Sequence, residues 1–273
     1  MDKKIRAGTS GYSYKEWRGS FYPEALGQDD WLSFYASKLP AVEINNTFYR
    51  MPKEHVVAAW RDAVPDGFKF VIKASRRITH QSRLKNTEEA TGYLIKRAHV
   101  LGDKLGAVLF QLPPYMRADL DRLQGFQDLL PEDLPCVFEF RHQSWHEADV
   151  LHCLGQRGHG WVVTHDEDTP KAEFRATGNL TYLRLRSSKY TPGELRKWYQ
   201  KADHEAQQHN RQGFVFFKHE EAGAGPAMAA KFMALAAKPK PKRAAAKSRA
   251  SSKPVPKRAA RKTTATSKVQ KKR

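Results

Sequence analysis

Polar side chains that could transfer protons follow short apolar runs along this sequence. Glu43 precedes Asn45 by two positions, and Glu139 precedes Arg141 by the same interval. Side chains two apart on a β-strand lie on one face of the sheet, so each pair would present its polar groups together. A carboxylate held beside an amide or a guanidinium group suits acid–base catalysis. These positions therefore indicate a site at which chemistry occurs.

Thirteen residues within the first 237 are the candidates for this site. The catalytic candidates, which could transfer or orient a proton, are Glu43, Glu139, Asp166 and His142. The substrate-binding candidates are Asn45, Lys73, Arg76, His80, Gln111, Arg141, Arg184, Tyr12 and Trp17. The cationic members, together with Arg186, predict an anionic small-molecule ligand, because arginine forks match phosphate and carboxylate groups.

Several of these assignments have a structural alternative. Glu139 could form a buried salt bridge with Arg141, and Glu43 could be neutralised by Lys73. The aromatic first loop, residues 10–28, could stack on a base or a sugar ring, or it could pack as a lid over the end of the fold. Burying many ionisable groups is unfavourable unless all of them are paired, and this favours a ligand site over a purely structural network.

Eight apolar runs rich in β-branched and aromatic residues must position these side chains. We predict strands near residues 5–9, 41–45, 68–74, 106–112, 136–141, 161–166, 180–185 and 213–218. Helical patterns occur at 29–38, 53–63, 88–101, 119–130, 146–156, 191–210 and 226–237, and the connection at 169–176 has room for only a turn or two. Strands alternating with helices pair in parallel, and eight such units predict a (β/α)8 barrel of the TIM type, whose strand ends converge on one mouth. An open doubly wound sheet is the alternative, but no glycine-rich dinucleotide motif follows the first strand.

The last 36 residues differ in composition from the rest of the chain. Residues 238–273 contain fifteen Lys or Arg and no Asp or Glu, whereas the first 237 residues contain 33 basic and 29 acidic residues. We therefore divide the chain into a barrel, 1–237, and a polybasic tail, 238–273, which is expected to be disordered. Such a tail is expected to bind DNA or RNA without sequence preference, although a merely solubilising extension is the alternative. Its cations include Lys238, Lys240, Lys242, Arg243, Lys257, Arg258, Arg261 and Lys262.

Other classes of site and location are disfavoured by composition. No stretch approaches 18 consecutive apolar residues, and the N-terminus lacks the apolar run of a secretion signal, so we expect no membrane partner. Cys136 and Cys153 lack a metal-binding spacing and indicate a reducing compartment, so we expect a cytoplasmic protein, associated with the nucleoid or RNA where the tail binds. A divalent metal held by Glu43, Glu139, Asp166 and a histidine is conceivable, but no His-x-x-His spacing supports it.

Five motifs resemble, in order, those of the YecE-like family, catalogued as domain of unknown function 72. They are GTSGYSYKEWRGSFYP at 8–23, VEINNTFYRMP at 42–52, FKFVIKASRRITH at 68–80, KLGAVLFQLPP at 104–114 and FEFRHQSW at 138–145. The resemblance covers about residues 5–235 and implies a TIM-type barrel. It implies no reaction, because the family is largely uncharacterised.

Three functions remain compatible with the sequence. The leading hypothesis is an enzyme that acts on a phosphorylated or otherwise anionic small molecule or nucleotide. The second is metal-assisted hydrolysis of nucleic-acid phosphodiesters, which would unite the barrel mouth and the tail in one activity. The third is a non-catalytic ligand sensor or scaffold associated with nucleic acid. A barrel fold alone does not choose among them.

Overall fold

Strands and helices alternate along the chain as the sequence predicts. The computed structural model describes residues 4–167, 173–218 and 221–236. The strands are Ile5–Ser10 (β1), Ala41–Ile44 (β2), Lys69–Lys73 (β3), Leu105–Gln111 (β4), Cys136–Glu139 (β5), Gly160–His165 (β6), Leu180–Leu185 (β7) and Gln212–Phe217 (β8). The α-helices in these ranges are Trp31–Lys38 (α1), Glu54–Asp62 (α2), Glu88–His99 (α3), Leu120–Gln127 (α4), Ala148–Gln156 (α5), Pro192–Gln208 (α6) and Ala224–Leu235 (α7).

The eight strands form a closed barrel in chain order, and each strand pairs in parallel with its neighbours. The barrel closes between β1 and β8, where Gly8 pairs with Phe216. β1 approaches β2 so closely that a Cβ atom on Gly8 would lie 1.8 Å from the carbonyl oxygen of Ala41. Only glycine permits this approach. The prediction of a TIM-type barrel is confirmed, and the open sheet is excluded.

Local sequence signals set the helix boundaries. At the start of α6, the Thr191 hydroxyl accepts a hydrogen bond from the Glu194 N–H, and the Glu194 carboxylate accepts one from the Thr191 N–H. This capping box satisfies amide groups that the first helical turn leaves unpaired, and Pro192 occupies the first helical position. Between β6 and β7, the described parts of the connection, 166–167 and 173–179, contain no helix.

Apolar side chains fill both sides of the barrel wall. The interior cluster consists of Ala41, Val71, Ala107, Leu109, Val137, Val162, Leu180, Tyr182, Phe214 and Phe216. It includes Val71, Leu109 and Phe216, which the alternation of the strands predicts to point inward. A larger cluster lies between the sheet and the helices. Because the interior below is packed, the polar residues at the carboxyl ends of the strands form the layer above it.

The described residues belong to one compact unit, Met1–Lys238. The second unit, Pro239–Arg273, lies outside the described ranges, and so do all the tail cations assigned to nucleic acid, from Lys238 to Lys262. Within the described ranges, every helix is too short or too polar to span a lipid bilayer.

Candidate active site at the barrel mouth

One buried arginine holds two buried glutamates at the top of the barrel interior. The Arg184 Nη1 atom lies 2.7 Å from Glu139 Oε2, and its Nη2 atom lies 2.8 Å from Glu43 Oε1. All three side chains are at most 4% exposed. The pairs that the sequence suggested, Glu139 with Arg141 and Glu43 with Lys73, are therefore wrong. Arg184 comes from β7, on the far side of the barrel from β2, and only closure of the barrel brings these charges together.

Glu43 is enclosed and fully hydrogen bonded. Besides Arg184, it accepts hydrogen bonds from the Ser10 hydroxyl at 2.8 Å, the Asn45 amide at 3.1 Å and the Tyr182 hydroxyl at 2.6 Å. Burial by itself would raise the pKa of Glu43, but Arg184 and Tyr182 together lower that pKa to about 2. Glu43 does not line the cavity described below. This placement does not support the predicted catalytic role and indicates that Glu43 anchors Arg184.

Glu139 is linked to Lys73 through an amide. The Lys73 Nζ atom donates to Gln111 Oε1 at 2.8 Å, and Gln111 Nε2 donates to Glu139 Oε2 at 2.9 Å. The Thr164 hydroxyl donates to the other carboxylate oxygen of Glu139 at 3.1 Å. Burial would raise the pKa of Glu139, but Arg184, Gln111 and Lys73 outweigh it and lower that pKa. Glu139 is therefore a carboxylate anion at neutral pH.

Lys73 is the group in this network whose charge is easiest to change. It is partly buried, and burial followed by the repulsion of Arg184 lowers its pKa to about 8. Its ammonium lies 4.4 Å from the centre of the Phe48 ring. The pKa of neighbouring His80 is also lowered, by burial and then by Lys73 and Arg141. Near neutral pH, part of the Lys73 population is therefore a free amine, which can accept a proton or act as a nucleophile.

A cavity of about 1290 Å³ opens above this network. Eight of the thirteen predicted site residues line it: Asn45, Lys73, His80, Gln111, Glu139, Arg141, Asp166 and Arg184. Arg186, which follows Arg184 by two positions on the same face, lines it as well. The Nη1 atom of Arg186 is buried and has no hydrogen-bond partner among the described residues.

Most aromatic side chains of the first loop pack against one another and against the barrel, and Tyr14 is the one of them that lines the cavity. Trp17 is fully buried, and its ring centre lies 4.8 Å from that of Tyr14 and 5.7 Å from that of Phe21. Tyr12 packs against Tyr35 at 6.3 Å. Neither Tyr12 nor Trp17 lines the cavity, so their assignment to substrate binding is not supported by their placement.

Two further predicted residues lie away from the cavity. The His142 Nδ1 atom accepts a hydrogen bond from the Ser144 N–H at 3.1 Å, so His142 caps the short turn that follows it. Arg76 is exposed on the loop after β3 and does not line the cavity. The predicted role of His142 in proton transfer is therefore not supported by its position. The same holds for the predicted role of Arg76 in binding a substrate within the cavity.

The sequence did not single out Phe48 and Tyr49, which line the cavity beside Lys73. Phe48 ends a short 3-10 turn, Asn46–Phe48, that follows Asn45, and Tyr49 is the next residue. The sequence signal that could have identified them is their position just after β2, next to the candidates Glu43 and Asn45. Loops at the carboxyl ends of barrel strands form the mouth of the barrel.

The described ranges contain no group of three or more His, Cys, Asp or Glu side chains placed to hold a metal ion. The two glutamates proposed as ligands are both engaged by Arg184. A metal would have to displace this arginine, or use residues other than those proposed.

The model of the family described as "Protein of unknown function DUF72" matches residues 6–253. The chain belongs to this family. The UPF0759 protein YecE of Escherichia coli O157:H7 is 31% identical over 138 residues, which cover 48% of this chain and about half, 51%, of the relative. The UPF0759 protein YunF of Bacillus subtilis strain 168 is 25% identical over 242 residues, which cover 75% of this chain and 86% of YunF.

Solved DUF72 structures share the fold. A family member from Thermotoga maritima MSB8 superposes with a TM-score of 0.76 at 22% identity, over 86% of this chain and 99% of that one. Another from Enterococcus faecalis V583 superposes with a TM-score of 0.68 at 20% identity, over 88% of this chain and 99% of that one. At this identity the likeness describes the barrel and leaves the reaction open.

Proposed function

We propose that this DUF72 chain is an enzyme that acts on an anionic small molecule bound at the barrel mouth, with Lys73 as its acid–base or nucleophilic group. The observation that carries the proposal is the environment of Lys73. A lysine with a pKa of about 8 borders a cavity of about 1290 Å³, and an amide connects it to a buried carboxylate. A perturbed ionisable group in a large cleft is typical of an active site.

The arginine side chains at the cavity, rather than its net charge, favour an anion. Five cations line the cavity with four carboxylates, and Glu43 lies behind Arg184. The cations are Lys73, Arg141, Arg175, Arg184 and Arg186, and the carboxylates are Glu139, Glu147, Asp166 and Glu173. Both Nη atoms of Arg184 already bind carboxylates, so Arg184 is not the group that we assign to the ligand. We assign anion binding instead to Arg186, whose buried Nη1 atom has no hydrogen-bond acceptor among the described residues, and to exposed Arg141.

Glu139 has a different role from the one suggested by its residue type. Its lowered pKa keeps it ionised, so it cannot donate a proton near neutral pH. It can hold Gln111 in a fixed orientation, and Gln111 in turn directs the Lys73 amine. Asp166, which also lines the cavity, is the remaining predicted catalytic carboxylate that could orient a substrate or a water molecule.

The test is native mass spectrometry of the full-length protein, purified gently and screened against phosphates, carboxylates and nucleotides. We expect an anionic ligand to bind the wild type and to be lost in Arg186→Met. Lys73→Met should retain binding but abolish turnover of that ligand. Arg196→Met, on the exposed face of α6, is the matched control and should bind as the wild type does. Equal binding by wild type and Arg186→Met would show that the anion site is elsewhere.

Two rival functions give different results in the same screen. Metal-assisted phosphodiester hydrolysis requires a divalent ion that copurifies with the protein and whose removal abolishes cleavage of nucleic acid. A non-catalytic sensor would bind its ligand in the wild type and in Lys73→Met equally, with no turnover in either. Our proposal requires turnover that depends on Lys73 and persists after treatment with a chelator.

A further inference from the structure

The loops after β2, β3, β4 and β5 contain far more cations than carboxylates. These four segments, residues 45–53, 74–87, 112–119 and 140–147, are called the basic face below. Together they contain eight Lys or Arg residues against two carboxylates, Asp119 and Glu147. The loop after β1, residues 11–28, contains two glutamates, and Asp166 with Glu167 follows β6. Positive charge is therefore concentrated on one half of the barrel mouth.

The cations of the basic face are not neutralised by their surroundings. Five arginines of this face are exposed and have no carboxylate oxygen within 4.0 Å in the part of the chain that the structure describes: Arg50, Arg76, Arg83, Arg117 and Arg141. Two of the nearby carboxylates have other partners, since Glu54 pairs with Arg97 and Asp119 lies 2.9 Å from Arg122. Arg77 is set aside because it lies 3.6 Å from Glu89. Exposed, uncompensated arginines at this density attract polyanions.

Two exposed tyrosines lie among these arginines. Tyr49 is 72% exposed and Tyr115 is 63% exposed, while the third strongly exposed aromatic side chain of the described ranges, Tyr93, lies on α3 away from the mouth. Aromatic rings that are exposed over most of their surface are available to stack on a ligand.

The two tyrosines are positioned around a common residue. The Tyr115 hydroxyl lies 3.4 Å from the carbonyl oxygen of His80. The Phe48 ring meets the His80 ring edge to face at 4.9 Å and meets the Tyr49 ring in the same way at 5.1 Å. Tyr49 also lines the cavity, so the basic face and the cavity are continuous.

We propose that the basic face binds single-stranded nucleic acid, with bases stacked on Tyr49 and Tyr115 and phosphates held by Arg50, Arg76 and Arg117. Basic grooves with exposed aromatic rings bind single strands in this way, because each base has a free face for stacking. A duplex hides those faces, so it would use the arginines without the tyrosines. Tyr49 also borders the Lys73 cavity, but the other residues named here do not line it, and the proposal does not depend on the proposed function.

The experiment measures the affinity of the full-length protein for a labelled oligothymidylate, alone and with unlabelled duplex DNA as competitor. The polybasic tail is the same in every variant, so a difference in affinity between variants belongs to the basic face. Tyr49→Ala and Tyr115→Ala should each weaken binding at least about fivefold, since stacking contributes about 1–3 kcal/mol per base. Tyr93→Ala is the matched control, and its affinity should equal that of the wild type. Ultraviolet cross-linking followed by peptide mapping should place cross-links on Tyr49 and Tyr115.

Other outcomes would overturn the proposal. Cross-links confined to residues 238–273, with equal affinity in all three tyrosine variants, would show that only the tail binds the strand. If duplex DNA displaces the oligothymidylate completely, and the tyrosine substitutions change the affinity for neither, the surface is purely electrostatic. Vesicles containing anionic lipid form the last arm: if the tyrosine variants lose vesicle binding but keep oligonucleotide binding, the face recognises a membrane surface instead.

Discussion

Replacing Arg184 with methionine should destabilise the barrel more than any other single loss of charge at the mouth. The substitution leaves Glu43 and Glu139 buried without the cation that they share. Removing one partner of a buried ion pair costs about 3–5 kcal/mol. Because Tyr182 and Gln111 still donate hydrogen bonds to the two carboxylates, we expect about 3–5 kcal/mol in total rather than twice that amount. Urea unfolding followed by circular dichroism should show a midpoint lower by about 1–2 M.

The dependence of this loss on pH identifies its cause. In the wild type, the pKa of Glu43 is lowered from its ordinary value of 4.5 to about 2, so the stability it contributes is present above pH 4.5 and is lost as the pH falls toward 2. In Arg184→Met, burial without a cation raises the carboxylate pKa values, so the variant loses stability as the pH rises. The difference between the two proteins should therefore be largest near pH 7 and should shrink toward pH 4.

Arg141→Ala is the matched control, because Arg141 is exposed and an exposed side chain of this kind changes stability by about 0.5 kcal/mol or less. If Arg184→Met is no less stable than Arg141→Ala at pH 7, the network does not stabilise the fold and the reasoning is refuted. A large loss that is the same at pH 4 and pH 7 would assign the effect to packing of the arginine side chain and not to its charge.

Three further predictions address the amine, the backbone and the tail. Labelling of Lys73 by an amine reagent, followed by peptide mass spectrometry, should reach half its maximal rate near pH 8, against about 10.4 for an unperturbed lysine, and Gln111→Glu should move the midpoint upward. Gly8→Ala should destabilise the barrel by about 1–3 kcal/mol or prevent folding, whereas Gly92→Ala, which meets no atom within 4 Å, should stabilise α3 by up to about 1 kcal/mol in urea unfolding. Removal of residues 238–273 should abolish most duplex-DNA affinity, and the log–log salt slope of the full chain should be about 0.9 per phosphate engaged; equal affinity would mean that the barrel binds the duplex.

The fold could be predicted from the sequence because its signals are local and repeated. Each strand is an apolar run that ends in a polar residue, as at Lys73 and Gln111, or is followed directly by one, and most strands are followed by a helix of the length that a parallel crossover requires. Side-chain alternation also predicts which strand residues point inward, since the period is two wherever the strand is regular. These signals need no knowledge of distant contacts.

The pairing of charges at the mouth could not be predicted in this way. The cation that pairs with Glu139 depends on which side chain can reach it across the barrel. Arg184 reaches Glu139 from β7, whereas Arg141, only two residues after Glu139 in the sequence, is exposed to solvent. Proximity in sequence favoured the wrong partner. The prediction for the aromatic first loop lacks support for a related reason. Trp17 is a residue type that can stack on a ligand, but its exposure depends on tertiary packing, and neighbouring rings bury it.

The position of Gln111 explains why Lys73 is perturbed although a carboxylate lies so near. A lysine in direct contact with Glu139 would gain a strong partner, and its pKa would rise. The neutral amide separates the two groups, so the ammonium has a hydrogen bond but no adjacent negative charge, while burial and Arg184 both act against its protonation. The same amide orientation satisfies both neighbours at once, since the carbonyl accepts from lysine and the NH2 donates to the carboxylate. A buried network that fixes Arg184 and Glu139 thereby sets the charge state of the amine that faces the cavity.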